Sequence, residues 1–258
     1  NHIEGIGGEI NAYTTKEETT FYAATLNHHF RPTLHLLAEM ALRPTFLKKE
    51  TDKEVTVILD EIESYNDSPS ELIYDDFENM IFEGNSLAMP ILGTKKTLRR
   101  ISKSSDYPLN WMAENYRPER MVLFVLGNVS PKQVIAAAEK ELGHLASVSS
   151  PSSVSSAKER IYRRHTHQTH IMLGSNSFPI GHPKQLTMFL LNNILGGGSM
   201  SSRLYLSLRE KYGLVYNIDS QAVPLSDTGY WNIYLACEPQ HRDQCLELVH
   251  SELKKLRD

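Results

Sequence analysis

Residues 213–220, GLVYNIDS, and 228–235, TGYWNIYL, decide the fold, because the same organisation occurs earlier at 7–14, GGEINAYT, and 19–26, TTFYAATL. Each pair reads as a glycine-led turn, a strand, a polar connection and a second strand, rich in β-branched and aromatic residues. An amphipathic helix follows each pair. The first spans 31–42, with Leu34, Leu37, Ala38 and Ala41 on one side, and the second spans 239–256. Two copies of one unit in one order predict an α+β chain of two related domains, each an antiparallel sheet covered by helices. Chance similarity of short strands is the competing explanation.

The copies are separated by ASVSSPSSVSS at 146–156, a polar tract that cannot pack a core. The expected domains are therefore 1–145 and 160–258, joined by a Ser-rich linker over 146–159. In the second half the repeated unit is preceded by a strand at 169–173 and helices at 183–195 and 201–211. The equivalent helix of the first half would fall before residue 1. The chain opens on Asn1 and ends on a helical pattern at Asp258 with no stop signal. The expectation is a piece of a longer polypeptide, with the first domain short of its opening and the second short of its end.

Between the repeats, periodicity predicts helices at 47–66, 69–83 and 106–116, with one short helix in the loop 89–105. Ser68-Pro69-Ser70-Glu71 and Ser130-Pro131-Lys132-Gln133 have the form of capping boxes, the second opening a helix that runs to Gly143. The apolar run MVLFVL at 121–126 reads as a buried strand. Trp111 and Trp231 read as core, and Cys237 and Cys245 as small packing residues.

In the helix 47–66, Val55, Ile58, Leu59 and Ile62 form one apolar stripe. Glu54 and Glu61 lie seven residues apart, within roughly 20° of each other and about 10 Å along the axis. Both fall at the border of the stripe, where a half-buried carboxylate needs a partner. Two solvated surface acids are the ordinary reading, and a metal-ligand or general-base helix is the functional one. Spacing does not separate them.

Bulk properties narrow the classes. With 40% hydrophobic and 22% charged residues over 258 positions, the chain is a globular protein large enough for one or two domains. A net charge of −4, spread along the chain, calls for neither nucleic acid nor an anionic membrane as partner. No apolar run is long enough to span a bilayer. Two cysteines build no disulfide framework, which leaves a cytoplasmic location as the default. The histidine-rich HTHQTH (His165, His167, His170) would split across the two faces of a strand and does not converge on a metal. Gly196-Gly197-Gly198-Ser199 lacks the ending of a phosphate loop and does not follow a strand.

Several stretches taken together resemble one family. They are GGEINAYT at 7–14, Glu54 and Glu61 with the following Asp67-Ser68-Pro69, Ile91-Leu92-Gly93, LGGGSMSSRL at 195–204 and LREKYGLVY at 208–216. In this order they are similar to the pitrilysin/insulinase family of inverted-motif zinc peptidases, which includes bacterial processing-type proteases. The resemblance implies a zinc metalloendopeptidase in which two histidines of an H-x-x-E-H helix and a later glutamate hold zinc, and the motif's own glutamate activates zinc-bound water.

By the same resemblance, Glu61 matches the later zinc ligand and Glu54 the acid that orients the ligands. Asn11 and Ala12 match an edge strand that pairs with the substrate, a peptide or unfolded protein. Arg209 and Tyr216 match a pair from the second domain that reaches the active site and stabilises the oxyanion. Unaided, Arg209 reads as a surface ion pair and Tyr216 as a strand-packing aromatic. In the intact enzyme the two domains would enclose a cavity, and the expected partner is a second copy in a homodimer or a paired subunit.

No H-x-x-E-H occurs in this sequence, and His28, His29 and His35 have the wrong spacing and follow the GGEINAYT strand. The resemblance therefore implies a piece that does not bind zinc and is inactive alone. The alternative is a non-catalytic peptide-binding or assembly subunit of the same fold. Glu54, Glu61, Arg209 and Tyr216 occurring together favour an active ancestor.

Overall fold

The computed structural model describes residues 2–103, 106–117, 120–143, 159–164 and 166–257. In chain order the elements of the first part are β1 (Glu9–Thr14), β2 (Thr19–Ala24), α1 (Phe30–Leu42), α2 (Lys48–Asn66), α3 (Pro69–Ile81), α4 (Lys95–Ile101), α5 (Asp106–Asn115) and α6 (Pro131–Leu142). Then come β3 (Thr169–Asn176), α7 (Gln185–Gly196), a π-helical segment Tyr205–Lys211, β4 (Val215–Pro224), β5 (Gly229–Cys237) and α8 (Arg242–Arg257). The mixed helix and antiparallel sheet content is that of the expected α+β class.

The chain divides into two compact units, Asn1–Glu61 with Ile91–Pro151, and Ile62–Pro90 with Ser152–Asp258. In the first, β1 and β2 form a hairpin in register Glu9↔Ala24 to Thr14↔Thr19. Leu34 and Ala38 of α1 are buried. Glu141 near the end of α6 accepts from Arg43 at 3.3 Å and lies 3.0 Å from His35 Nδ1, tying α6 to α1. The second expected capping box is formed: Ser130 and Gln133 satisfy each other's backbone N–H groups at the start of α6.

In the second unit β5 lies between β3 and β4, antiparallel to both. On one sheet face Ile233, Leu235 and Cys237 meet Leu195 of α7, Leu204, Leu208 and Cys245 and Val249 of α8. On the other, Tyr230 packs with Phe77, Phe82 and Leu87. Gly174 of β3 makes this second layer possible, since a Cβ there would lie 2.7 Å from the Phe77 ring. The two free thiols are inert by location: burial, and then the neighbouring Cys237, push the Cys245 thiol up to about 12.

The internal repeat carries over into geometry. Gly7 and Gly213 occupy the same place ahead of their hairpins, with φ of 75° and 62°, a left-handed turn that glycine adopts without steric cost. Each hairpin is followed by a 3-10 turn, Asn27–His29 and Pro239–His241, and then by its helix.

Ile62–Pro90 groups with the second unit, because Phe77, Phe82, Leu87 and Ala88 supply the layer beneath Tyr230. Three expectations need correction. The Ser68 side chain makes no capping bond to α3, and a capping box forms instead at Thr94 and Thr97, ahead of α4. The run 121–126 forms no strand among the described residues, with Val122 94%, Phe124 80% and Leu126 88% exposed. Trp111 is 49% exposed and packs edge-on against Tyr116. The linker expected at 146–159 lies outside the described residues except for its last position.

Glu252 of α8 is buried and accepts from Arg203 at 3.1 Å and from Lys255 at 2.6 Å. Burial pushes its carboxyl upward, but the hydrogen bonds from Lys255 and Arg203 outweigh that and hold it below the ordinary carboxylate range. A depressed folded value means that the group stabilises above its unfolded pKa and loses this as pH falls through the folded value. Thermal melts between pH 6 and pH 3 are expected to fall less steeply with pH for Glu252→Gln than for the wild type, from a lower starting point. Parallel curves would contradict this.

Candidate functional site

Arg209 is on the π-helical segment and Tyr216 on β4, and two local irregularities bring them together. The ladder between β4 and β5 is regular except for a register shift between Val215 and Asn217, which leaves Tyr216 as the extra residue of a bulge. Its carbonyl accepts a hydrogen bond from Arg209 Nη1 at 2.8 Å. The guanidinium carbon lies 5.6 Å from the Tyr216 ring centre and 5.2 Å from that of Tyr205. Single π-turns and bulges are found preferentially at functional sites, because each re-aims side chains at a local cost.

Neither ordinary reading of this pair describes what is found. Arg209 makes no ion pair with an acid among the described residues. Tyr216 is 71% exposed and is not a packing aromatic. The result is a cation held by a carbonyl and flanked by two aromatic rings, with its other N–H groups lacking acceptors among the described residues. Such a group offers several donors to an incoming oxyanion. Tyr205 is the residue that sequence reasoning missed. The available signal was a tyrosine four residues before an arginine on a predicted helix, the spacing at which helical side chains meet.

In the first unit, β1 pairs only with β2, so the strand holding Asn11 and Ala12 has an open edge among the described residues. Both residues are exposed. The Asn11 side chain accepts the Ala12 N–H at 2.8 Å, so one strand donor is occupied by the chain itself. A peptide using that donor must first displace the Asn11 amide.

Glu54 and Glu61 are not half-buried as expected. Both are exposed on α2 and have no hydrogen-bond or ion-pair partner among the described residues. The stripe they border buries only Val55, so the helix gives their carboxylates no low-dielectric wall. Glu61 alone supplies a metal with one oxygen ligand, short of the three protein ligands a catalytic zinc requires. Among the described residues no group of three His, Cys, Asp or Glu side chains could hold a metal ion. The described residues therefore do not by themselves fit a catalytic zinc.

His170 on β3 lies 3.0 Å from the Tyr234 hydroxyl and is pushed downward by burial; His167 is exposed, and His165 lies outside the described residues. No helix among the described residues is long and apolar enough to cross a membrane.

With this geometry in place, likeness to known proteins is informative. Residues 1–95 match the family model described as insulinase (peptidase family M16), and residues 108–258 match that of the peptidase M16 inactive domain. The chain is 34% identical over 259 residues to the uncharacterized zinc protease YmxG of Bacillus subtilis, covering 99% of this chain and 62% of that protein. It is 33% identical over 256 residues to an uncharacterized zinc protease of Rickettsia bellii, covering 98% of this chain and 60% of that protein. The chain thus spans about three-fifths of the length of these curated relatives.

Among solved structures, the peptidase M16 inactive domain from Pseudomonas fluorescens superimposes with a TM-score of 0.86 at 21% identity, covering 98% of this chain and 63% of that one. A protease from Helicobacter pylori gives 0.82 at 19% identity, covering 99% and 67%. At those identities the likeness concerns the fold. The match of the M16 inactive-domain model over more than half the chain, with the insulinase model on residues 1–95, assigns this chain to the M16 family, the pitrilysin/insulinase peptidases, in its bacterial branch.

Proposed function

We propose that this chain is part of a zinc-dependent endopeptidase acting on extended peptides or unfolded protein, to which it contributes one metal ligand, a strand edge for the substrate backbone and an oxyanion-binding pair. The observation that carries the reading is the Arg209–Tyr216 arrangement: a partly exposed guanidinium with no acid partner among the described residues, fixed by a bulged carbonyl. In this reading the substrate joins the open edge of β1 as an added strand, with Asn11 yielding its hold on the Ala12 N–H. The free N–H groups of Arg209 and the Tyr216 hydroxyl are, separately, donors suited to a carbonyl oxygen on which negative charge develops. Donors fixed before reaction lower the barrier because they need no reorganisation when that charge appears.

Glu61 is assigned as one zinc ligand and Glu54 as its neighbouring acid; the remaining ligands come from polypeptide outside the described residues. The chain alone is proposed to be inactive. One observation favours a second reading, a non-catalytic peptide-binding or assembly subunit of the same fold: both glutamates are exposed and have no partner among the described residues.

The test uses the full-length polypeptide that contains this chain and a quenched-fluorescent peptide substrate. Cleavage that is abolished by a zinc chelator, restored by zinc and lost in Glu61→Gln is the expected result. Binding of the peptide without turnover would establish the second reading. Cleavage surviving in Glu61→Gln would remove that residue from the metal site.

A further inference from the structure

We infer that Tyr205 is a positioning residue for Arg209, holding the guanidinium in the orientation in which its free N–H groups serve an anionic ligand. The inference rests on the reading of Arg209 as an oxyanion donor. It begins from an asymmetry in how that side chain is held. One terminal nitrogen is tied to the Tyr216 carbonyl at 2.8 Å, and a single hydrogen bond leaves a long side chain free to swing about that point.

Two rings restrict the swing. Tyr216 lies 5.6 Å from the guanidinium carbon, but it is on a different element and 71% exposed. Tyr205 lies closer, at 5.2 Å, is only partly exposed, and shares the π-helical segment with Arg209. Its neighbour Leu204 and the residue one turn on, Leu208, are both fully buried beneath the sheet, so the backbone that carries Tyr205 is anchored on the core. The cation thus rests on a ring carried by a stretch of backbone that packing anchors.

The Tyr205 hydroxyl has no partner among the described residues, so the face of the ring is what Arg209 uses. Aromatic faces attract cations through their quadrupole, and phenylalanine retains this attraction. A role through the ring face therefore predicts that Tyr205→Phe behaves as wild type and Tyr205→Leu does not. A merely structural role makes no such prediction for Arg209.

The first readout is NMR of this chain, following the Arg209 Nε–Hε cross-peak, assigned by its disappearance in Arg209→Lys. Tyr205→Phe is expected to keep the peak where it is, and Tyr205→Leu to move it to the position of free arginine with faster solvent exchange. A peak unchanged in Tyr205→Leu overturns the inference. The second readout is cleavage by the full-length polypeptide. Tyr205→Leu is expected to lower kcat about tenfold with little change in KM, as loss of orientation does, and Tyr205→Phe to restore it. If Arg209→Ala is impaired while Tyr205→Leu is not, the positioning role is overturned. An unimpaired Arg209→Ala would instead refute the oxyanion reading, with the cross-peak still deciding whether Tyr205 holds Arg209.

Discussion

Arg209→Ala in the full-length polypeptide is expected to lower kcat by about 10²–10³-fold, the usual loss when one preorganised oxyanion donor is removed. KM should change little, because the lost hydrogen bonds form mainly as charge appears on the carbonyl oxygen. The geometry also predicts that Arg209→Lys fails to rescue. Lysine can reach the Tyr216 carbonyl, but its ammonium cannot spread donors in one plane, as the guanidinium does beside two rings. Steady-state kinetics of both variants on one fluorogenic peptide decide the matter. A rise in KM at constant kcat would make Arg209 a ground-state contact.

The second large effect concerns stability. Phe77→Ala is expected to destabilise the second unit by about 3–5 kcal/mol, the range for truncating a buried aromatic. Phe77 is 5% exposed, and its ring centre lies 5.9 Å from that of Tyr230. Its ring also fills the space left by the missing side chain of Gly174, so the cavity would open directly onto β3. Urea unfolding followed through Trp231 of β5 is the measurement. A midpoint that falls while the slope stays constant is the expected form, since the slope reports the surface exposed on unfolding. A change below about 1 kcal/mol would mean that the α3 layer is not coupled to the sheet.

How much of this was legible in the sequence depends on what each inference needed to know. The hairpins and the helices after them could be read because their signals are local: alternation, glycine ahead of the strand, and a periodic apolar stripe. The run 121–126 could not, although its composition is the most strand-like in the chain. A strand is made by a neighbour's backbone, and composition does not say whether one is present; Val122, Phe124 and Leu126 are exposed, with no strand beside them among the described residues. The grouping of α3 with the second unit was hidden for a related reason, since it depends on Phe77 and Phe82 finding Tyr230 far along the chain.

The candidate site divides in the same way. Arg209 and Tyr216 entered through resemblance, and on their own residues they pointed to an ion pair and a packing aromatic. What makes them a pair is a π-turn and a bulge, each a one-residue departure from regular spacing that periodicity averages away. Glu54 and Glu61 show the converse. Their angular relation on α2 was correctly derived, but the burial inferred from it does not occur, because the helix buries Val55 and little else of its stripe.

The sealed sulfurs of Cys237 and Cys245 give the second unit a clock. A maleimide or iodoacetamide reacts with thiolate, and at neutral pH neither side chain offers one while α8 stays closed against β5. Alkylation therefore proceeds at the pace at which that seam opens, and its dependence on reagent concentration separates brief breathing from full unfolding. The chain carries its own opening-rate label, needing neither an engineered probe nor a substrate.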